Sequence, residues 1–185
     1  MTSRTPLQQS VAKSLVGGGV LALAVGLASI VGCTASTPAA PTGTARVERV
    51  ADGDTVVLRG GSRVRLVQVD APELGQGECY GAASRRVLGR LVQVGARVEL
   101  EADPGLDQLD RYGRLLRYVH MEDENVNVEL VRLGAATPYF RHGERGRYAD
   151  LLNDANKNAR DARRGMWSAC QVSWRPDRQV ETRPR

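Results

Sequence analysis

Apolar and polar residues first alternate along this chain and then take a helical spacing. "ARVERV" (45–50) alternates, and "DTVVLRGGSRVRLVQV" (54–69) reads as two strand arms. The arms meet at Gly60-Gly61, a pair that supplies the positive φ angles of a tight hairpin. From Tyr80 to Gln93 the period changes: Val87, Leu88, Leu91 and Val92 fall on one helical face, and Gly95 stops them. "ARVELE" (96–101) alternates again as a fourth strand, and "RLLRYVHM" (114–121) predicts a fifth. "NVNVELVRLG" (125–134) predicts a short helix closed by Gly134, and "RYADLLNDANKNARDARRG" (147–165) a longer one closed by Gly165. Five short strands, a helix after the third and helices at the end predict an α+β, mainly β architecture. It is an OB-type five-stranded barrel with about three helices packed on it.

The pattern also divides the chain. At 185 residues and 42% hydrophobic content there is enough to bury one good core. The domain is expected over residues 45–170, with appendages on both sides. Residues 1–32 carry Arg4 and Lys13, no acidic residue, and then the uncharged run "SLVGGGVLALAVGLASIVG", the layout of a secretory signal. "IVGC" (30–33) resembles the bacterial lipobox, which implies lipidation at Cys33 and a protein held outside the cytoplasm on the cell membrane, or secreted. Residues 33–44, small, polar and proline-bearing, predict a flexible tether. Residues 171–185 are rich in Arg and Pro with little to bury, and predict a disordered basic tail.

Charge and cysteines narrow the function. The net +5 rests on 26 basic against 21 acidic residues, and without the first 32 residues it falls to 24 against 21, or +3. A balance that small permits a polyanionic partner without arguing for one. Cys79 and Cys170 are the cysteines left after Cys33, and in an oxidising compartment such a pair is expected to form a disulfide. Neither has a neighbouring histidine in sequence, and no G-x-S-x-G stretch is present, so a Cys/His zinc site, a Cys/His nucleophile and a Ser/His/Asp triad are all disfavoured.

Three polar stretches carry candidate chemistry. "ADGDT" (51–55) is a turn between the first two strands; taken alone, Asp and Gly are ordinary turn residues. In "RLVQVDAPE" (65–73) a strand ends on Asp70 and Glu73 around Pro72, which cannot donate to a ladder and takes the chain out of the sheet. "DRYGR" (110–114) is a loop before the fifth strand. Together they suit phosphodiester hydrolysis. Asp54 and Asp70 offer a hard divalent cation carboxylate oxygens from two segments. Glu73 is a candidate base for the attacking water, and Arg65 and Arg114 are planar forks for phosphate oxygens. Arg65 and Asp70, five residues apart, would lie on opposite faces of an ideal strand. The site therefore requires a bend or bulge between them.

"DGDT", "R-x-x-x-x-D-x-P-E" and "D-x-Y-G-R", in this order and spacing, closely resemble the staphylococcal-type thermonucleases, with similarity running from about Val47 to Trp167 through "NVELVRLG" and "GMWS". The resemblance implies a Ca²⁺-dependent phosphodiesterase on an OB barrel, a monomer acting on DNA and RNA. It implies Asp54, Asp70 and the main-chain carbonyl of Ala71 as calcium ligands, Arg65 and Arg114 on the phosphate, and Glu73 as base. Arg111 and Tyr112 would contact the nucleotide, and Tyr139 or Phe140 would pack against a base or sugar. Where the family commonly has Thr, this chain has Ala71, a change that leaves a main-chain ligand intact. The alternative is a non-catalytic OB-fold module that binds nucleic acid.

Overall fold

The computed structural model describes residues 43–185; the signal segment 1–32, Cys33 and nearly all of the tether predicted above lie outside the described residues. In chain order the elements are β1 (Gly43–Asp52), β2 (Thr55–Leu58), β3 (Arg63–Leu66), β4 (Val69–Asp70), α1 (Gly81–Val92), β5 (Arg97–Glu101) and β6 (Leu115–Met121). There follow β7 (Glu124–Asn125), α2 (Val126–Arg132), β8 (Thr137–Pro138), α3 (Ala149–Asp161), α4 (Met166–Ala169), β9 (Cys170–Ser173) and β10 (Glu181–Pro184). Antiparallel pairing runs β3-β2-β1-β5-β6, and parallel pairing of β3 with β6 joins the two ends of the sheet. The result is a closed five-stranded barrel of mixed pairing with three main helices packed on it, the α+β OB architecture expected from the pattern.

Alternation places the core. Val47, Val56, Val64, Leu66, Val98, Leu100 and Val119 point into the barrel and are buried, and β5 keeps its outward Arg97 and Glu99 exposed. Helix α1 turns Val87, Leu88 and Val92 inward, and Ser84 on the same face donates to the Ala135 carbonyl at 2.6 Å. Helix α2 starts at Asn125, whose side chain accepts from the Val128 amide at 3.1 Å, an N-cap that satisfies an otherwise unpaired donor. The helix-closing glycines do more than stop helices. Gly134, at φ 68°, lies against the Arg164–Gly165 backbone, so that a Cβ there would collide with the Arg164 carbonyl, and the Met166 amide donates to its carbonyl at 2.9 Å.

The strand predicted to run unbroken to Val69 stops at Leu66. Gln68 takes φ 59°, unusual for a non-glycine residue, and the chain resumes as β4, paired with β8 instead of β6. The break is stabilised by hydrogen bonds on every side. The Val67 amide donates to the Arg117 carbonyl (2.9 Å), the Val67 carbonyl accepts from Asn127 Nδ2 (2.8 Å), and the Gln68 carbonyl accepts from the Tyr139 amide (2.9 Å). The buried Gln68 side chain donates to the Glu144 carbonyl at 2.8 Å and accepts from Tyr118 Oη and the Gly146 amide, each at 3.0 Å. This is the required bend.

The expectation of a disordered tail is corrected. Residues 171–185 are ordered: β9 and β10 pair as an antiparallel hairpin from Cys170↔Pro184 to Ser173↔Glu181. Val180 is buried in a second small apolar cluster with Met166 and Cys170. Counting apolar residues in the tail alone missed this, because the surface they cover belongs to the rest of the domain. Cys79 and Cys170 form a disulfide across a sequence separation of 91.

Candidate active site

The site gathers at one end of the barrel, where the β1–β2 turn, β3, β4 and the loop before β6 meet. Asp54 leaves the turn as β2 begins, and its carbonyl accepts from the Leu66 amide at 2.9 Å, which ties the turn to the end of β3. The turn packs tightly. A Cβ on Gly53 would stand 2.7 Å from Ala71 Cβ and 2.8 Å from Ser84 Cβ, so a glycine here, opposite a small side chain at 71, lets the turn approach β4 and α1.

The bend at Gln68 brings the separated residues together. Arg65 Nη2 lies 2.8 Å from Asp70 Oδ1 and 3.1 Å from Asp54 Oδ2, and Nη1 donates to the Val69 carbonyl at 2.9 Å. Asp54 and Asp70 are both buried and share one guanidinium. Burial alone would lower the pKa of Arg65, but the charges of Asp54 and Asp70 outweigh it and raise the value. The chain of contacts continues on the far side of Asp54. Thr55 Oγ1 donates to Asp54 Oδ1 at 2.8 Å, and Arg114 Nη1 lies 3.5 Å from Thr55 Oγ1.

Arg114 is held by its own loop. Asp110 accepts from the amides of Tyr112 and Arg114, each at 2.9 Å, and from Arg114 Nε at 2.5 Å. Burial works against that carboxylate, yet the Arg114 amide and side chain and the Tyr112 amide hold it below its ordinary value. Asp110 thus shapes "DRYGR" into a platform that aims a guanidinium, a role the sequence reading did not give it. Arg111 and Arg114 both lie over the exposed Tyr112 ring, at 4.7 and 5.4 Å from its centroid.

These residues line a groove of about 220 Å³ that includes Arg65, Arg111, Tyr112, Arg114, Tyr139 and Gln179. Tyr139 faces it, with Arg65 5.9 Å from the ring centroid, whereas Phe140 is buried in the core. Of the two aromatic candidates, Tyr139 is the one on the groove.

Glu73 is half-buried on the acidic side of the cluster and is not a groove-lining residue. Burial, then the charges of Asp54 and Asp52, push its carboxyl up to about 7. Burial also pushes Asp70 up to about 6, with Asp54 adding to the effect and Arg65 opposing it. Asp52, the first acid of "DGD", was not singled out in sequence although the motif contains it. Its Oδ1 accepts from the Gly53 amide at 2.7 Å and lies 3.4 Å from the Leu74 amide. Glu78 Oε2 accepts from the Glu73 amide at 2.7 Å and fixes the loop beyond the strand.

This donor set suits a hard cation. Two carboxylates from separate segments converge, and Asp70 and Glu73 are raised first by burial and then by the neighbouring Asp54. Among the described residues no three Asp, Glu, His or Cys side chains form a group able to hold a metal. The remaining ligands would be the Ala71 carbonyl and water, as calcium sites commonly use.

Residues 63–169 match the sequence profile of the family described as "Staphylococcal nuclease homologue". The chain is 36% identical over 129 residues to a thermonuclease of Staphylococcus intermedius, an alignment covering 65% of this chain and 74% of that protein. It is 40% identical over 127 residues to an uncharacterized endonuclease of Escherichia coli O157:H7, covering 66% and 76% of the two chains. To endonuclease YncB of Bacillus subtilis it is 32% identical over 129 residues, covering 66% of this chain and 60% of the relative.

Proposed function

We propose that this chain, which belongs to the staphylococcal nuclease homologues and is a nuclease, is a Ca²⁺-dependent phosphodiesterase that hydrolyses DNA and RNA from the groove beside Asp54 and Asp70. The observation that carries this reading is the bridged pair: two buried carboxylates from different segments on one guanidinium, with a second arginine tied to the same cluster through Thr55. A non-catalytic binding module would be expected to lose some of the metal, base or arginine positions, and here Asp54, Arg65, Asp70, Glu73 and Arg114 are all present.

In this reading Asp54, Asp70 and the Ala71 carbonyl hold the ion. When bound, calcium supplies positive charge beside the phosphoryl oxygens. Arg65 and Arg114 place guanidinium donors where those oxygens gain charge, and Arg114 arrives already oriented by Asp110. Glu73 takes a proton from water as the water oxygen bonds to phosphorus and the bond to the leaving sugar oxygen breaks. A carboxyl at about 7 is a base matched to neutral pH. Tyr112, Tyr139 and Arg111 receive the nucleotide. The Cys79–Cys170 disulfide suits an oxidising compartment, which supports an extracytoplasmic enzyme, and the lipobox-like "IVGC" supports a lipid anchor at Cys33.

The test is hydrolysis of single-stranded DNA and of RNA with calcium and then with chelator, for wild type, Asp70→Asn and Glu73→Gln. The expected result is activity abolished by chelator, a raised calcium requirement in Asp70→Asn, and a lowered plateau with little change of midpoint in Glu73→Gln. Full activity in chelator would refute calcium dependence. Recovery of the Glu73→Gln plateau at excess calcium would make Glu73 a ligand and not the base.

A further inference from the structure

Asp70 is held from two directions, and only one is the barrel. Its Oδ1 accepts from Arg65 Nη2 at 2.8 Å and has Gln179 Nε2 at 3.4 Å; its Oδ2 accepts from the Val180 main-chain amide at 2.8 Å. Gln179 and Val180 belong to the segment between β9 and β10, about 110 residues further along the chain. They also lie beyond residue 169, where the family match ends.

This C-terminal arm is fastened along its length. Trp174 Nε1 donates to the Pro138 carbonyl at 2.8 Å, and the Pro176 carbonyl accepts from the Phe140 amide at 2.6 Å. The arm therefore grips β8, the strand that pairs with β4 and so with Asp70 itself. On the other side, Thr182 Oγ1 donates to the Cys79 carbonyl at 2.6 Å, and the disulfide joins Cys79 to the first residue of β9. Val180 is buried between these anchors, and Gln179 forms part of the groove wall.

We propose that residues 174–182 are a working part of the site, in which the Val180 amide and the Gln179 side chain are positioning donors that set the orientation of the Asp70 carboxylate toward a divalent cation. The claim rests on Asp70 being a calcium ligand. The physical basis is that a carboxylate presenting an oxygen to a metal can rotate about its side-chain torsions. Donors on its other lone pairs fix the presented oxygen, and losing such an outer contact commonly costs about 10- to 100-fold in metal affinity. A main-chain amide suits this role because it is neutral, so it orients the carboxylate without competing with the ion as a second cation would. Arg65 cannot do this alone, since its Nη2 is shared with Asp54.

The experiment is calcium titration calorimetry on the intact, disulfide-bonded protein, using Ca²⁺ alone as probe. Val180→Pro removes the amide hydrogen and keeps an apolar side chain, Val180→Ile keeps both, and Gln179→Ala removes the exposed side-chain donor. A fall of about 10- to 100-fold in affinity is expected for Val180→Pro, a smaller fall for Gln179→Ala, and wild-type affinity for Val180→Ile. DNA hydrolysis by Val180→Pro should require more calcium than wild type, with the loss at limiting calcium shrinking as calcium is raised. Asp70→Asn is titrated alongside. If it binds calcium as wild type does, the ligand reading of Asp70 fails; if it weakens and Val180→Pro does not, the positioning role alone fails. Amide hydrogen exchange at Val180 in the calcium-free wild type needs no variant. Slowed exchange there is expected, and exchange at the rate of an unstructured peptide would overturn the proposal even if Val180→Pro does not fold.

Discussion

In the proposed reaction Arg114 would contribute through orientation as much as through charge. Its guanidinium is fixed by Asp110 and abuts Thr55, so it would meet a phosphate without first being ordered. Arginines that stabilise transferring phosphoryl groups are worth about 10³ to 10⁵ in rate. Arg114→Ala is expected to lose activity on that scale with a thermal midpoint near wild type; cleavage within a few-fold of wild type would remove Arg114 from the mechanism. The acids predict a pH effect with a definite sign. Asp70 at about 6 and Glu73 at about 7 hold protons in the native state that unfolded carboxyls, near about 4, have lost. Between those limits the native state binds more protons than the unfolded state. The stability this confers is complete below about pH 4 and is lost as pH rises through 6 and 7. Asp110, held low, acts in the opposite sense, but only as pH falls below the ordinary carboxylate range. The calcium-free protein should melt at a lower temperature at pH 8 than at pH 5, and calcium should recover much of the difference at pH 8. A calorimetric scan showing a higher apo midpoint at pH 8 would contradict the charge balance described for the site.

Among the elements, the decisive feature is the broken strand. β3 and β4 are one stretch of sequence divided by Gln68, and Asn127 from α2 holds the division in place: its Nδ2 donates to the Val67 carbonyl at 2.8 Å and its Oδ1 accepts from the Val119 amide at 3.0 Å. Removing that side chain leaves two buried main-chain groups unpaired, at about 1 to 3 kcal/mol each. Asn127→Ala should therefore lower the denaturant midpoint. It should also reduce activity in the fraction that stays folded, because Asp70 is displaced along with the bend. Wild-type kinetics in a destabilised variant would mean that the break is structural only.

For the whole molecule, the disulfide ties the loop after Glu73 to the start of the C-terminal arm. With a sequence separation of 91, the chain-entropy treatment gives about 4 to 5 kcal/mol. Reduction should lower the thermal midpoint markedly, and it should also weaken calcium binding in protein that remains folded, since the arm reaches Asp70. Unchanged calcium affinity after verified reduction would show that the arm's own hydrogen bonds suffice to hold it.

The sequence by itself determined the barrel, its main helices and the family, and it named the residues that the fold gathers at one end of the barrel. Alternation and helical spacing are local signals, and "DGDT", "R-x-x-x-x-D-x-P-E" and "D-x-Y-G-R" keep their chemistry within short stretches. Even the need for a bend between Arg65 and Asp70 was legible, because strand geometry forbids their meeting otherwise. Where the bend falls was not. It depends on Asn127, Tyr118 and the 144–146 loop, whose hydrogen bonds exist only once distant segments pack. The arm was misread for the same reason. Val180 and Trp174 look too few to order a tail by themselves, and it is Met166, β8, Cys79 and the Asp70 carboxylate, brought there by the fold, that give them something to bind.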